Sequence, residues 1–195
     1  MENIKKPRTR QAQKPPLKAF THNELQQLLK AIHENRMITI WICIMLYTGV
    51  RPSEALALMW KDINYQEGTI DISKALSQED YFDIRNHHKI KPSIPIITDL
   101  KNERNSDKSS WQKRTLKVGK GLLKMLSEWE RVSKGNTALM KKKRENGTEE
   151  YLFCGSKGQL WLYEYYNKAY KRLLKKHGWH SGKFCVNLNS VQTKT

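Results

Sequence analysis

Residues 48–63 read TGVRPSEALALMWKDI, and this stretch decides the expected fold. A strongly apolar segment comes before it and is predicted to be a buried helix over Arg36–Tyr47. Gly49 is placed to end that helix, because glycine readily adopts the left-handed conformation of a helix C-terminus. Pro52 suits the first position of a third helix, predicted over Pro52–Trp60. The stretch is therefore predicted to connect two helices through a tight turn.

The hydrophobic pattern of the rest of the chain predicts an α+β domain, mainly helical, with a small antiparallel sheet. A capping box at residues 21–24 starts the first helix. Alternation predicts strands over Thr69–Ser73 and Arg114–Val118, with a long polar stretch, Gln78–Lys113, between them. The later predictions are a helix over Gly121–Val132, a charged loop over Lys134–Glu150, a short strand or turn at Tyr151–Phe153, and an amphipathic helix over Leu160–Lys176.

The charge of the chain is its strongest compositional feature. Lysine and arginine number 36 and aspartate and glutamate 19, which gives a formal net charge of +17. Such an excess attracts polyanions, so DNA or RNA is the expected partner. The three cysteines are odd in number and far apart, which argues against a disulfide framework and against a zinc site. No secretory signal and no apolar run of roughly 18 residues is visible, so a cytoplasmic location is expected.

The stretch at residues 48–63 resembles the first signature box of the tyrosine recombinases, the phage integrase family. The family pattern is T-G-x-R-x-x-E, then leucines, then W-x-D-I, and each of these positions is filled here. The resemblance covers about residues 19–178. It implies the fold of the family's catalytic domain, which cleaves and rejoins DNA strands by attack on a phosphodiester.

The resemblance implies that Arg51 is the first catalytic arginine of this family. A guanidinium stays protonated and can hold two non-bridging phosphate oxygens at once. Positive charge positioned there in advance stabilises the charge that builds up in the transition state. Glu54 matches the acidic residue that supports the family's site, and if buried it would orient Arg51. The alternatives are a surface arginine at a helix start and an ordinary carboxylate near a helix N-terminus.

A second family feature is a lysine in a β-hairpin, within a stretch similar to K-T-K-x-S-x-R-T. Lys108 stands six residues before Arg114, as in that pattern. The resemblance gives Lys108 the role of a general acid that protonates the leaving 5′ oxygen. Asp107 departs from the pattern, and Lys113 is an alternative candidate. A solvated loop lysine is the other interpretation of this position.

The second signature box, H-x-x-R, and the nucleophilic tyrosine that follows it in the family are absent from the expected place. Asn189 and Gln192 have the spacing of that box with both functional residues replaced, either as a degenerate box or as a chance fit. All eight tyrosines precede the expected position of the nucleophile. Because covalent catalysis needs an activated hydroxyl in line with the leaving group, we expect a truncated domain that is inactive alone.

The two ends of the chain are expected to differ from the domain between them. Residues 1–18 are predicted to be a disordered basic arm that is either solvated or follows DNA phosphates. Residues 19–180 are the expected integrase-like domain, and residues 181–195 are an irregular tail. The residues predicted to contact DNA are Lys5, Lys6, Arg8, Arg10, Lys113 and Arg114.

The expected function is that of an integrase catalytic-domain fragment that binds double-stranded DNA, without a cofactor, a metal or a small-molecule substrate. The alternative is a non-enzymatic regulatory or decoy protein that occupies DNA or an intact integrase. A generic RNA-binding protein explains the charge but leaves the match at residues 48–63 to coincidence, and no RNA-recognition signature accompanies it.

Overall fold

A computed structural model of the chain describes residues 21–83, 85, 88–100 and 113–179. Within these residues it has six α-helices, a three-stranded sheet and a separate two-stranded ribbon. The predicted α+β class, mainly helical with a small antiparallel sheet, is confirmed. Outside the described residues lie Lys5, Lys6, Arg8, Arg10, Lys108, Asn189 and Gln192, together with the predicted arm and tail.

The first two helices follow the sequence closely. Helix α1 (His22–Ile32) begins at the predicted capping box. Helix α2 (Arg36–Thr48) is buried along most of its length because nearly every position in it is apolar. Gly49 ends α2 as predicted, with a φ of 66° and its N–H donating to the carbonyl of Met45 at 2.9 Å. The chain therefore turns sharply at the start of the signature stretch.

The third helix is shorter than predicted. Helix α3 covers only Pro52–Leu56, and the chain then forms a 3₁₀ turn over Trp60–Asp62. The backbone N–H of Trp60 donates to the carbonyl of Glu150 at 2.8 Å instead of continuing the helical ladder. The helix has already tightened at Ala57, whose N–H donates to the carbonyl of Glu54 at 3.1 Å, and the contact with Glu150, ninety residues away in the sequence, then holds the chain that follows it.

The five strands form two separate units. In chain order they are β1 (Ile63–Asn64), β2 (Thr69–Ile72), β3 (Lys74–Phe82), β4 (Lys89–Asp99) and β5 (Arg114–Lys117). The small sheet has the order β1-β2-β5, with both pairs antiparallel. Among the residues that the structure describes, strands β3 and β4 pair with each other and with no third strand. The stretch from Gln78 was predicted to be polar and without strands, and this was wrong for the two-stranded ribbon of β3 and β4. Two prolines and many polar residues in these strands are typical of a loop, so the sequence did not indicate them.

The charged segment after α4 (Lys120–Gly135) was predicted to be a loop, and this was wrong. It contains helix α5 (Thr137–Glu145), whose first turn is capped by the side chain of Asn136. Lys143 of α5 is buried, and its ammonium donates to the hydroxyl of Ser133. The run of lysines is therefore partly packed against α4, which charge counting does not reveal.

The last described helix, α6 (Tyr163–Lys176), closes the core. Its Tyr166 is buried and contacts the rings of Trp41 and Phe153 with centroid distances of 5.7 and 6.3 Å. Residues from α2, from the segment before α6 and from α6 itself thus share one aromatic cluster. In the described part of the chain, no helix is long and apolar enough to cross a membrane.

Candidate nucleic-acid interface

The connection between α2 and α3 is held on both sides. The hydroxyl of Thr48 donates to the carbonyl of Ile44 at 2.5 Å and accepts the N–H of Val50 at 3.4 Å. The indole N–H of Trp41 donates to the carbonyl of Pro52 at 3.2 Å. Because these bonds secure the residues before and after it, the backbone at residue 51 has a defined position at the N-terminus of α3.

Arg51 is the N-cap residue of α3, with an extended backbone (φ −70°, ψ 150°). Its backbone N–H donates to Oε2 of Glu54 at 2.9 Å. Its guanidinium Nη1 lies 3.9 Å from Oε1 of the same carboxylate. The Arg51 side chain is 26% exposed and the Glu54 side chain only 1%. A buried carboxylate therefore fixes the backbone of an arginine whose guanidinium still reaches solvent.

Glu54 also binds a second arginine, Arg114, the first residue of β5. Nη2 of Arg114 donates to Oε2 at 2.6 Å, and Nη1 donates to Oε1 at 3.3 Å. The antiparallel register pairs Arg114 with Ile72 of β2, which places the start of β5 beside α3. This two-pronged geometry suits a guanidinium and not an ammonium group. The helix and the small sheet are thus joined through one carboxylate.

The cluster formed by Arg51, Glu54 and Arg114 carries a net positive charge. Burying a carboxylate is costly unless it is paired and its oxygens accept hydrogen bonds, and Glu54 meets both conditions. Two guanidinium groups share this one carboxylate, so the three side chains together carry one net positive charge. Arg114 is 33% exposed and Arg51 26%. The arrangement suits an anion with several oxygens that approaches from the solvent side.

The second half of the signature stretch supports the backbone. Oδ2 of Asp62 accepts the N–H of Met59 at 2.9 Å, which holds the turn after α3. Burial raises the pKa of the Asp62 carboxyl, and the Met59 N–H and the charges of Lys74 and Lys61 oppose that rise. The ammonium of Lys74 lies 3.2 Å from the sulfur of Met59. These residues hold the turn that leads from α3 into the small sheet.

The structure brings together three of the residues that the sequence selected: Arg51, Glu54 and Arg114. Lys113 precedes β5 and is exposed. The sequence assigned Arg114 to DNA contact only and missed its bond to Glu54. Sixty residues separate the two partners, so no local spacing indicated the pair.

All eight tyrosines lie within the described residues. Tyr166 and Tyr170 are buried in α6, and burial raises the pKa of both phenols well above the ordinary value. The hydroxyl of Tyr65 donates to Glu130 at 2.9 Å. Tyr47, Tyr81, Tyr151, Tyr163 and Tyr165 complete the set. Tyr170 is the last tyrosine of the 195 residues, and it is only 5% exposed.

The fold and the cluster of Arg51, Glu54 and Arg114 define a basic α+β domain in which two arginines share one buried carboxylate. Comparison with known proteins agrees with this class. The sequence model of the phage integrase family matches residues 18–184. The chain therefore belongs to the phage integrase family, the family of the tyrosine recombinases.

Individual relatives are distant and longer. A tyrosine recombinase XerC-like protein of Caldanaerobacter subterraneus subsp. tengcongensis is 23% identical over 185 residues, which cover 91% of this chain and 43% of that protein. IntQ, an Escherichia coli K12 protein described as defective, is 35% identical over 86 residues, 40% of this chain and 21% of IntQ. The chain thus spans less than half the length of these curated relatives.

The fold is shared with solved integrases and recombinases. The Tn1549 transposon integrase, solved in complex with transposon right end DNA, has a TM-score of 0.57 and 18% identity over 86% of this chain and 47% of that one. The XerA recombinase has a TM-score of 0.53 and 17% identity over 89% of this chain and 46% of that one.

Proposed function

We propose that this chain binds double-stranded DNA non-covalently and that Arg51 holds one backbone phosphate. The observation that carries this proposal is the buried Glu54 carboxylate, which accepts the backbone N–H of Arg51 and both guanidinium prongs of Arg114. Because the backbone of Arg51 is fixed before a ligand arrives, binding has to order only its side chain. Phosphate contacts of this kind position a protein on DNA without reading its sequence.

The charge of the chain supports the same partner. A net charge of +17 favours association with a polyanion, so other cations would contact neighbouring phosphates. Lys113 and Arg114, and the basic residues Lys5, Lys6, Arg8 and Arg10 of the N-terminal segment, are our candidates for these contacts. Lys108 is the candidate for the family's general acid. The solved complex of the related Tn1549 integrase with DNA is consistent with this choice of partner.

We further propose that the 195-residue chain does not cleave DNA by itself. The last tyrosine of the sequence, Tyr170 of α6, is buried in the core, and in this proposal Asn189 and Gln192 are a degenerate form of the family's second box. A regulatory or decoy role, in which the chain occupies DNA or an intact integrase in the cytoplasm, remains the second candidate.

A nicked duplex that traps covalent intermediates tests both statements in one gel. With fluorescent nicked DNA at about 50 mM salt, we expect a retarded complex on a native gel. The same sample heated in SDS should release all of the DNA, because no phosphotyrosyl bond forms. The matched intact duplex serves as the control and should bind equally. Failure to bind at low salt would reject the DNA proposal, and an SDS-resistant adduct would overturn the proposal of inactivity.

A further inference from the structure

The buried polar side chains of the described fold fall into two groups. One is Glu54, which the proposed DNA site already uses. The other consists of Ser133 at 1% exposure, Lys143 at 1% and Thr148 at 5%. Side-chain hydrogen bonds connect this second group to the thiol of Cys154, which is 9% exposed. We call Ser133, Lys143, Thr148 and Cys154 the lysine–cysteine cluster, and DNA binding gives it no role.

Lys143 is a buried amine without an acidic partner. Its side-chain nitrogen donates to the hydroxyl of Ser133. Among the residues that the structure describes, no carboxylate is paired with it, so the ammonium form is poorly compensated. Burial lowers the pKa of Lys143, and the neighbouring Cys154 opposes that change. The neutral amine, with its free electron pair, is therefore favoured more here than on the protein surface.

The thiol of Cys154 lies beside this amine, close enough to share a hydrogen bond with it. Burial raises the pKa of the Cys154 thiol, and Lys143 and Thr148 oppose that rise. For Cys43, the other cysteine that the structure describes, burial alone raises the pKa of the thiol to about 11. A proton can pass from the Cys154 thiol to the Lys143 amine, which leaves the nucleophilic thiolate.

The two side chains are held together before any reaction. The turn after Cys154 packs on the end of α5, so that a Cβ at Gly158 would lie 2.5 Å from the carbonyl carbon and oxygen of Lys142. The hydroxyl of Thr148 donates to the carbonyl of Gly158, and its N–H donates to the carbonyl of Lys143 at 2.8 Å. Two reactive groups fixed in contact react with a high effective concentration.

From this geometry we propose that Lys143 and Cys154 form an oxidative crosslink, a sulfur–nitrogen bond made by reaction with hydrogen peroxide. Peroxide is small and uncharged, which suits a thiol that is 9% exposed. In the first step the Cys154 proton passes to Lys143 and the thiolate attacks the peroxide. A sulfur–oxygen bond forms and the oxygen–oxygen bond breaks. The leaving hydroxide takes the proton from Lys143 and departs as water, which leaves a sulfenic acid and a free amine.

The second step joins the two side chains. The amine of Lys143 attacks the sulfenic sulfur of Cys154, so that a sulfur–nitrogen bond forms and the sulfur–oxygen bond breaks. The hydroxyl leaves with one amine proton as a second water. One thiol, one amine and one peroxide thus give one sulfur–nitrogen bond and two waters, with the sulfur oxidised and the peroxide reduced.

The crosslink would tie α5 to the segment that pairs with the signature stretch. The N–H of Leu152, two residues before Cys154, donates to the carbonyl of Leu58 at 3.0 Å. Oxidation would therefore fix α5 covalently to a part of the chain that supports the turn after α3. This proposal does not rest on DNA binding, and its test uses no DNA.

Mass spectrometry of the full chain after treatment with hydrogen peroxide tests the crosslink. We expect the wild type to lose two hydrogen atoms, and peptide mapping to place the link between Lys143 and Cys154. A disulfide loses the same mass, so the map decides between them. Dithiothreitol should restore the original mass, because this stage of oxidation is reversible by thiols. Cys43 in the same sample should oxidise at least about tenfold more slowly, since only Cys154 has an adjoining amine.

Lys143→Met should abolish the link and leave Cys154 carrying added oxygen. Lys142→Met is the matched control, because Lys142 is exposed on the same helix, and it should crosslink like the wild type. If Lys143→Met fails to fold, Lys143→Arg gives the same test, since it keeps the positive charge with a weakly nucleophilic guanidinium. A wild type whose Cys154 stays a thiol, gains oxygen without a link or joins another cysteine would contradict the proposal. Loss of the link in Lys142→Met would do so as well.

Discussion

Affinity for duplex DNA is expected to fall roughly 10²–10³-fold when monovalent salt rises from about 50 to about 200 mM. The physical reason is the release of counterions condensed on the DNA. About four to six phosphate contacts, a modest number for a chain of this charge, are enough for an effect of this size. Fluorescence anisotropy at four salt concentrations gives the slope of log Kd against log salt.

Single-stranded DNA of the same length is the matched control for that titration. Because its charge density is lower, fewer counterions are released per contact and the slope should be shallower. A duplex slope close to zero would show that ionic contacts with phosphates do not drive binding. The account of a phosphate-directed surface would then be wrong, whatever the affinity.

The substitution Glu54→Ala is expected to lower the free energy of unfolding by about 2–4 kcal/mol. It removes the acceptor of three hydrogen bonds and separates α3 from β5, the two elements that Glu54 joins. The lower part of the usual range for a broken buried ion pair applies, because Arg114 is 33% exposed and solvent can hydrate it. Urea denaturation followed by circular dichroism measures the loss.

Glu128→Ala provides the matched control for Glu54. Glu128 pairs with Arg36 at 3.4 Å, but both side chains are nearly half exposed, so its removal should cost within about 0.5 kcal/mol. Glu54→Gln keeps an oxygen acceptor and loses the charge, so its cost should lie between the two. Equal costs for Glu54→Ala and Glu128→Ala would show that the carboxylate does not hold the site together.

The parts of the fold with local signals were predictable from the sequence. The capping box of α1 and the glycine after α2 are set by hydrogen bonds between residues a few positions apart. The signature at residues 48–63 identified Arg51 and Glu54 for the same reason. These features recur as sequence patterns because the geometry that they satisfy is local.

The parts that depend on distant partners were not predictable. The bond between Glu54 and Arg114 crosses sixty residues, and the chain that follows α3 is held by a backbone bond from Trp60 to Glu150. The run of charges in α5 indicated a loop, although Lys143 is buried against α4. In each case a tertiary contact decides the role of a polar residue, and composition alone favours the solvated alternative.

The most direct test of the central claim compares the DNA affinity of Arg51→Ala with that of Arg172→Ala at one low salt concentration. Both substitutions remove one guanidinium and the same charge. Arg172 is exposed on α6. The N-terminal end of α6 lies near the start of α3, because Tyr163 contacts Trp41 and Trp41 bonds to Pro52. Arg172 is about 13 Å further along the helix axis from Tyr163. If Arg51 holds a phosphate, Arg51→Ala should weaken binding about tenfold more than Arg172→Ala. Equal losses would show that Arg51 contributes only general charge, and the account of this site would fail.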